Sequence, residues 1–379
     1  MYGDTQRILA RRARRTQRGG KGGLRKGGTQ RFGFSRIAST PAPTQLLAIV
    51  AKACSAEGLM AALFRTVPLA QLLACVAFGF MLSVMSTSAD PVPSSTTDVV
   101  VKLSTGYKFV EGPVWIPADV AKAGGATTSG GYLLFSDIPG NTIHKWDPAT
   151  KSASPWRTPS DNSNGMTLDG AGRLLACHHG TRVVTAGSPV EGAAERTIIA
   201  GEFNGGKFNS PNDIVVAKDG AVWFTDPTYG MGKRPAEQPV RAVYRLEPRT
   251  GAITLMASDF DQPNGLCFSP DETWLYVGDS GKPAHIRRFK VNADKTLSDG
   301  ALFYKVKEGV PDGFKCDKAG TLYITVGNGI AVVGADGTED RIILVPESPA
   351  NCNFGGDDGK TLFITARNSL YSVHLPALP

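Results

Sequence analysis

Between residues 111 and 351 the chain repeats one short phrase six times, and this periodicity limits its fold more than any other feature. The phrases are EGPVWIPADVAKAGGATTSGGYLLFSDI from Glu111, NGMTLDGAGRLLACHH from Asn164, NDIVVAKDGAVWFTDP from Asn212, NGLCFSPDETWLYVGDS from Asn264, DGFKCDKAGTLYITVG from Asp312 and NCNFGGDDGKTLFITAR from Asn351. Each opens on an amide or carboxylate residue, runs into a short strand, turns at Gly or Asp and continues as a second apolar strand. The intervals are 53, 48, 52, 48 and 39 residues, and the first unit carries an insertion over Ala118–Gly130. Further strand candidates lie between the phrases: IHKWDP, RTIIAGEF, AVYRLEP with ITLMAS, IRRFKV with ALFYKV, and IAVVGADG with RIILVP. No stretch of eleven or more residues in the body shows a helical period. About four strands per unit of roughly 40–50 residues is the pattern of a propeller blade. The prediction is an all-β chain folded as a six-bladed β-propeller. TTDVVVKL before the first phrase and LYSVHL at the end supply strands that close the ring within one shared blade. A pair of two-sheet sandwiches is the competing architecture, but it does not explain six units in one phase.

The charge separates this body from what precedes it. The chain of 379 residues has a net charge of +7, which by itself would suggest a nucleic-acid or anionic-surface partner. Residues 1–60 carry +10 and residues 61–89 add +1, so the body from Asp90 carries −4. A basic globular domain is therefore excluded, and no nucleic-acid partner is expected. Residues 1–59, with RRARRTQRGGKGGLRKGG, read as a disordered basic extension. From Met60 the chain reads as a secretory signal peptide over 60–89: Arg65 is the positive flank, Leu69–Met85 the apolar run, and Thr87 and Ala89 the small residues before Asp90. The apolar run is short for a membrane span and contains Gln71. Leu72–Cys75 resembles a lipidation box, but apolar sequence continues past Cys75. The expectation is a propeller domain over 90–379, periplasmic or secreted, with no stable membrane insertion after cleavage. Cys177, Cys267, Cys316 and Cys352 sit in apolar runs without CxxC spacing and are expected as buried free thiols.

The repeat phase also locates a candidate site. In a propeller the innermost strand of each blade starts beside the central channel. Glu111, Asn164, Asn212, Asn264, Asp312 and Asn351 occupy that equivalent point. Taken singly, Asn-Gly and Asp-Gly are turn formers. Together they aim six oxygen donors at one small volume, a set suited to a hard cation, with calcium the expected ion and zinc disfavoured by the absence of His and Cys. A structural ion, or none, is the plainer alternative. Glu111, Asn264 and Asp312 are the foremost candidate ligands; open positions would suit a Lewis-acid catalyst.

Other chemistry is absent or peripheral. There is no GxSxG and no HExxH, and GGDDGKT at Gly355–Thr361 is one residue short of a P-loop and falls in a hairpin turn. His178 and His179 end a strand, as surface-loop residues or as polar contacts at the channel mouth. Asp137, Asp226 and Asp279 share one repeat position and read as turn or blade-locking aspartates.

The phrases VEGPVW, NSPNDIVV, FTDPTYG, QPNGLCFSPD, PDGF and NCNFGG resemble the SMP-30/gluconolactonase/LRE-like family over about residues 98–374. The resemblance implies a six-bladed propeller with a divalent metal at the channel mouth that hydrolyses sugar lactones or related esters. Carried over by motif, it makes Glu111, Asn264 and Asp312 metal ligands, Asp312 also the general base, and Asn212 a contact to metal or substrate. Asn164 and His179 join Asn212 as substrate contacts, with Arg182 beside them. Animal members place an Arg where Ser210 stands, so their sugar contacts do not transfer directly. The implied reaction is ring opening of a small-molecule sugar lactone to an aldonic acid by water activated at Ca2+. The same site also admits a phosphotriesterase-like hydrolase, or a calcium-containing binding or scaffold protein.

Overall fold

The computed structural model describes residues 98–127, 130–192, 196–376 and 378. The basic extension, the signal-peptide segment and the cysteines at 54 and 75 lie outside the described residues. The body folds into six four-stranded antiparallel sheets. Their innermost strands are Val110–Ile116, Ser163–Leu168, Ile214–Val216, Pro263–Phe268, Phe314–Cys316 and Pro349–Gly355. Each phrase therefore contributes the two inner strands of one blade, and the segments between phrases contribute the two outer ones. The last sheet is completed by the first strand, Val100–Thr105, which pairs with Ser369–His374 through Val100↔Val373 and Thr105↔Ser369. The first and last strands among the described residues thus share a blade and close the ring.

The second strand of each blade is buried on both faces. Tyr132–Asp137, Leu174–His178, Val222–Asp226 and Leu322–Val326 are buried throughout, and accordingly read as near-continuous apolar runs. The outermost strands are mostly exposed or half-buried instead, as in Glu339–Leu344, where only Ile343 is buried. Apolar side chains collect in six clusters, each spanning two consecutive blades: Leu175 with Phe224, Val243 with Leu266, Tyr276 with Ile324, Tyr323 with Ile364, Leu134 with Met166, and Leu133 with Phe363. The core is thus a ring of inter-blade seams. The insertion in the first unit contains one helical turn and a half, Ala118–Ala123, seated through buried Ala121. Gly355–Thr361 is the hairpin between the first two strands of the last blade. The four cysteines of the body are free; three are buried, and Cys316 is half-buried.

The repeated aspartates tie each blade to the loop that enters it. Asp137 accepts the N–H groups of Lys108, Phe109 and Gly140. Asp226 accepts those of Asn209 and Ser210 at 2.8 and 2.6 Å, and Asp279 those of Asp261, Gln262 and Gly281. Each carboxylate satisfies backbone donors that a loop cannot pair in a ladder, and so fixes where the phrase of its own blade begins.

Candidate active site at the channel mouth

The close approach of successive innermost strands is set by small residues directly after the phrase residue. A Cβ at Gly112 would lie 2.0 Å from the carbonyl oxygen of Asn164, one at Gly165 2.5 Å from that of Asn212, and one at Gly265 2.3 Å from that of Asp312. At Gly313 it would meet the Asn351 amide at 2.0 Å. Hydroxyl groups of the second strands complete the contacts: Ser136 donates to Asn164 O, Thr225 to Asn264 O and Thr365 to Asn351 O. The ring closes through a side-chain hydrogen bond between Asn351 and Glu111. All six phrase residues therefore stand side by side around the channel, and Glu111, Asn164, Asn212, Asn264 and Asn351 are each buried.

Two carboxyls face this ring. Burial pushes Glu111 up to about 7; Gly112 N–H, at 2.9 Å from its Oε2, opposes the shift, Asp213 adds to it, and Asn351 and Lys315 oppose it. Burial, then Glu111, then Asp213 raise Asp312 well above the usual carboxylate range, against a hydrogen bond from Asn264. Both groups thus resist ionisation for want of positive charge, which a divalent cation would supply. The donor chemistry fits such an ion: two carboxylates, several amides, and an Asn164 Oδ1 that is buried without a hydrogen-bond partner among the described residues. Among the described residues no three His, Cys, Asp or Glu side chains group at ligating distance, so amide oxygens and water would complete the coordination.

His179 is buried at the same mouth, its Nε2 3.1 Å from Asn164 Nδ2. Burial, then Arg234, then His178 push it down to about 4, so the neutral ring accepts from Asn164 and turns that residue's Oδ1 away from it. His178 is buried between Ser160 O and Thr185 Oγ1 and serves the blade. Arg182 departs from the expected substrate contact: its guanidinium donates to Phe208 O, Lys207 O and Glu237, locking the second blade to the loop entering the third.

Ser210 Oγ accepts from Gly230 N at 2.8 Å, and a Cβ on Gly230 would meet both His179 and Ser210 at 2.3 Å. The loop between Val222–Asp226 and Ala242–Glu247 therefore packs over Ser210 and His179. Arg234 pins it through the carbonyls of Met231, Gly180, His179 and Gly230. The loop brings Tyr229, 49% exposed, into hydrogen bonding with Ser280 and Asn264, beside Asp312. Tyr229 belongs to FTDPTYG, a phrase visible in the sequence, but its reach across to the fourth blade was not. Asp213 and Lys315 were missed as well: Asp213 is the one carboxylate directly after a phrase residue, and Lys315 lies 3.9 Å from it.

The model of the SMP-30/Gluconolactonase/LRE-like region matches residues 109–368. A gluconolactonase of Zymomonas mobilis is 31% identical over 76% of this chain and 84% of its own length. The 6-deoxy-6-sulfogluconolactonase of Pseudomonas putida is 28% identical over 62% of this chain and 78% of its own. The solved structure of a Xanthomonas campestris gluconolactonase superimposes with a TM-score of 0.66 at 33% identity, over 73% of this chain and 89% of that one.

Proposed function

The chain belongs to the SMP-30/gluconolactonase/LRE-like family, and from that premise we propose that it is a metal-dependent hydrolase that opens sugar lactones to aldonic acids, with Ca2+ as its ion. The observation that carries the reading is the meeting of two mutually repelling carboxyls, buried Glu111 and half-buried Asp312, with amide groups at one channel mouth. The names of the relatives, a gluconolactonase and a sulfogluconolactonase, supply the substrate class.

Glu111, Asn264 and Asp312 would hold the ion, with Asn212 beside them. When bound, it would polarise the lactone carbonyl and stabilise the oxyanion. Asp312 takes the proton of the attacking water. Asn164 Oδ1, oriented by His179, and Asn212 position sugar hydroxyls. Arg234 keeps the Tyr229 loop over the mouth and excludes water from one side. Export belongs to the same proposal, with mature protein starting near Asp90; N-terminal sequencing of protein recovered from periplasm or medium checks it.

The test is a panel of δ-lactones and an organophosphate, with and without EGTA. Lactone turnover that EGTA abolishes and Ca2+ restores is expected. Turnover confined to the organophosphate, or Ca2+ binding without any turnover, would overturn the reading in favour of a triesterase or a binding protein.

A pH dependence follows from the same two carboxyls. In the metal-free fold both hold their protons more tightly than in the unfolded chain, Glu111 rising from 4.5 to about 7. Stability is therefore lost as pH climbs through that interval, because ionisation is harder in the fold. A cation offsets the loss and competes with the protons. The rise in Tm produced by Ca2+ is expected to be small near about pH 5 and to grow towards about pH 8. A rise of equal size at both values would contradict binding between these carboxyls. Groups away from the ion, such as Asp226 and His178, contribute equally to both forms and cancel in the difference.

A further inference from the structure

One step along the innermost strand from the ring of phrase residues, four units carry glycine and the sixth carries Cys352; the third carries Asp213. Its side chain is 2% exposed. Asp213 Oδ1 accepts from Ile214 N at 2.9 Å, while Oδ2 is buried without a hydrogen-bond partner among the described residues. The nearest cation is Lys315 Nζ, 3.9 Å from that Oδ2. Lys315 keeps 21% of its side chain exposed and donates to Phe314 O at 3.3 Å. Burial draws the Lys315 ammonium down, but Asp213, then Cys352, Cys267 and Glu111, outweigh it and hold the proton on. Asp213 in turn acts on both Glu111 and Asp312, and Lys315 on Glu111. The four groups share one field.

We infer that the Asp213–Lys315 pair is a positioning element that matches the channel to an ion of charge two, so that the site selects divalent over trivalent hard cations. This rests on the metal reading above. Three carboxylates and one ammonium sum formally to −2, which a divalent ion neutralises. Removing the ammonium leaves −3, and removing Asp213 leaves −1. Unbalanced charge in a buried volume is costly, so the preferred ion charge should follow the sum. Neither residue needs to touch the ion, because charge acts through the intervening side chains.

The experiment uses the full chain stripped with EGTA, with Ca2+ binding followed by calorimetry and Tb3+ binding by luminescence, at about pH 8, above the value of about 7 to which burial raises Glu111. A potential change acts in proportion to ion charge. Lys315→Met is therefore expected to tighten Ca2+ by about tenfold or more and Tb3+ by a larger factor, the two logarithms standing near 3:2 in favour of Tb3+. Asp213→Asn is expected to loosen both in the same proportion. The double variant, with neither charge, should return close to wild type, and it keeps the test valid if either single variant is unstable. Wild-type ion preference retained in all three variants overturns the inference while leaving the metal reading intact. A wild-type chain that binds neither ion overturns both.

Discussion

Asp312→Asn is expected to lower lactone turnover by about a thousandfold or more while the ring stays folded. Two duties meet in this carboxylate. It accepts a hydrogen bond from Asn264 and repels Glu111, which places it among the groups a cation would draw together. It is also the group proposed to receive the proton of the attacking water, and an amide cannot do so. The substitution keeps the side chain's shape and one oxygen, so the contacts of the backbone should persist: Asp312 N to Thr325 O at 3.3 Å, and the packing of Gly265 against Asp312 O. A second consequence runs opposite to the loss of activity. In the metal-free chain the variant loses a half-buried carboxyl that Glu111 repels, so above about pH 5 its Tm should exceed that of metal-free wild type. Kinetics at saturating Ca2+, set beside thermal unfolding in EGTA, reads both effects. An active variant would remove Asp312 from the chemistry. An inactive variant that is also unfolded would show that the residue serves the ring instead.

The architecture was legible because each repeat carries its own punctuation. A Gly/Asp turn separates two apolar strands in every unit, and six units in phase admit one closed solution. The sharing of the last blade by the strands at Val100–Thr105 and Ser369–His374 was readable from two leftover apolar segments at the ends. The ring of phrase residues was readable for the same reason, since repeat phase maps directly onto distance from the axis. What the phase could not reveal is chemistry that breaks it. Asp213 sits where the neighbouring units need glycine for backbone clearance, so the repeat assigns it no role of its own. Tyr229 lies between phrases, on a loop whose course depends on Arg234 reaching two carbonyls of its own loop, Gly230 and Met231, and two far off in sequence, His179 and Gly180. Arg182 shows the converse. The family resemblance of CHHGTR suggested a substrate contact, yet all three nitrogens of the buried guanidinium are engaged by the fold, through Phe208 O, Lys207 O and Glu237.

Gly112→Ala is expected to destabilise the propeller by about 3–5 kcal/mol, a fall in Tm of roughly 10 °C, and to weaken the site with it. Gly112 holds φ +52, a left-handed conformation that costs alanine about 1 kcal/mol on its own. The larger part is steric. The added methyl would lie 2.0 Å from Asn164 O, 2.7 Å from its carbonyl carbon and 3.0 Å from Gly165 Cα, all of them backbone atoms that cannot rotate aside. Asn164 O is held in turn by Ser136 Oγ at 2.9 Å, and Gly112 N by Glu111 Oε2 at 2.9 Å. Relief of the clash must therefore move the first two blades apart and carry Glu111 and Asn164 with them. Two controls separate the contributions. Gly106→Ala, at φ +102 with open space around it, should show the conformational cost alone, and Gly170→Ala, with open space and an ordinary backbone, should be nearly neutral. Thermal unfolding of the three variants ranks them. If Gly112→Ala proved no worse than Gly106→Ala, the close approach of the inner strands would not be what holds the phrase residues in their ring, and the site's geometry would have to come from the aspartates that fix the entering loops.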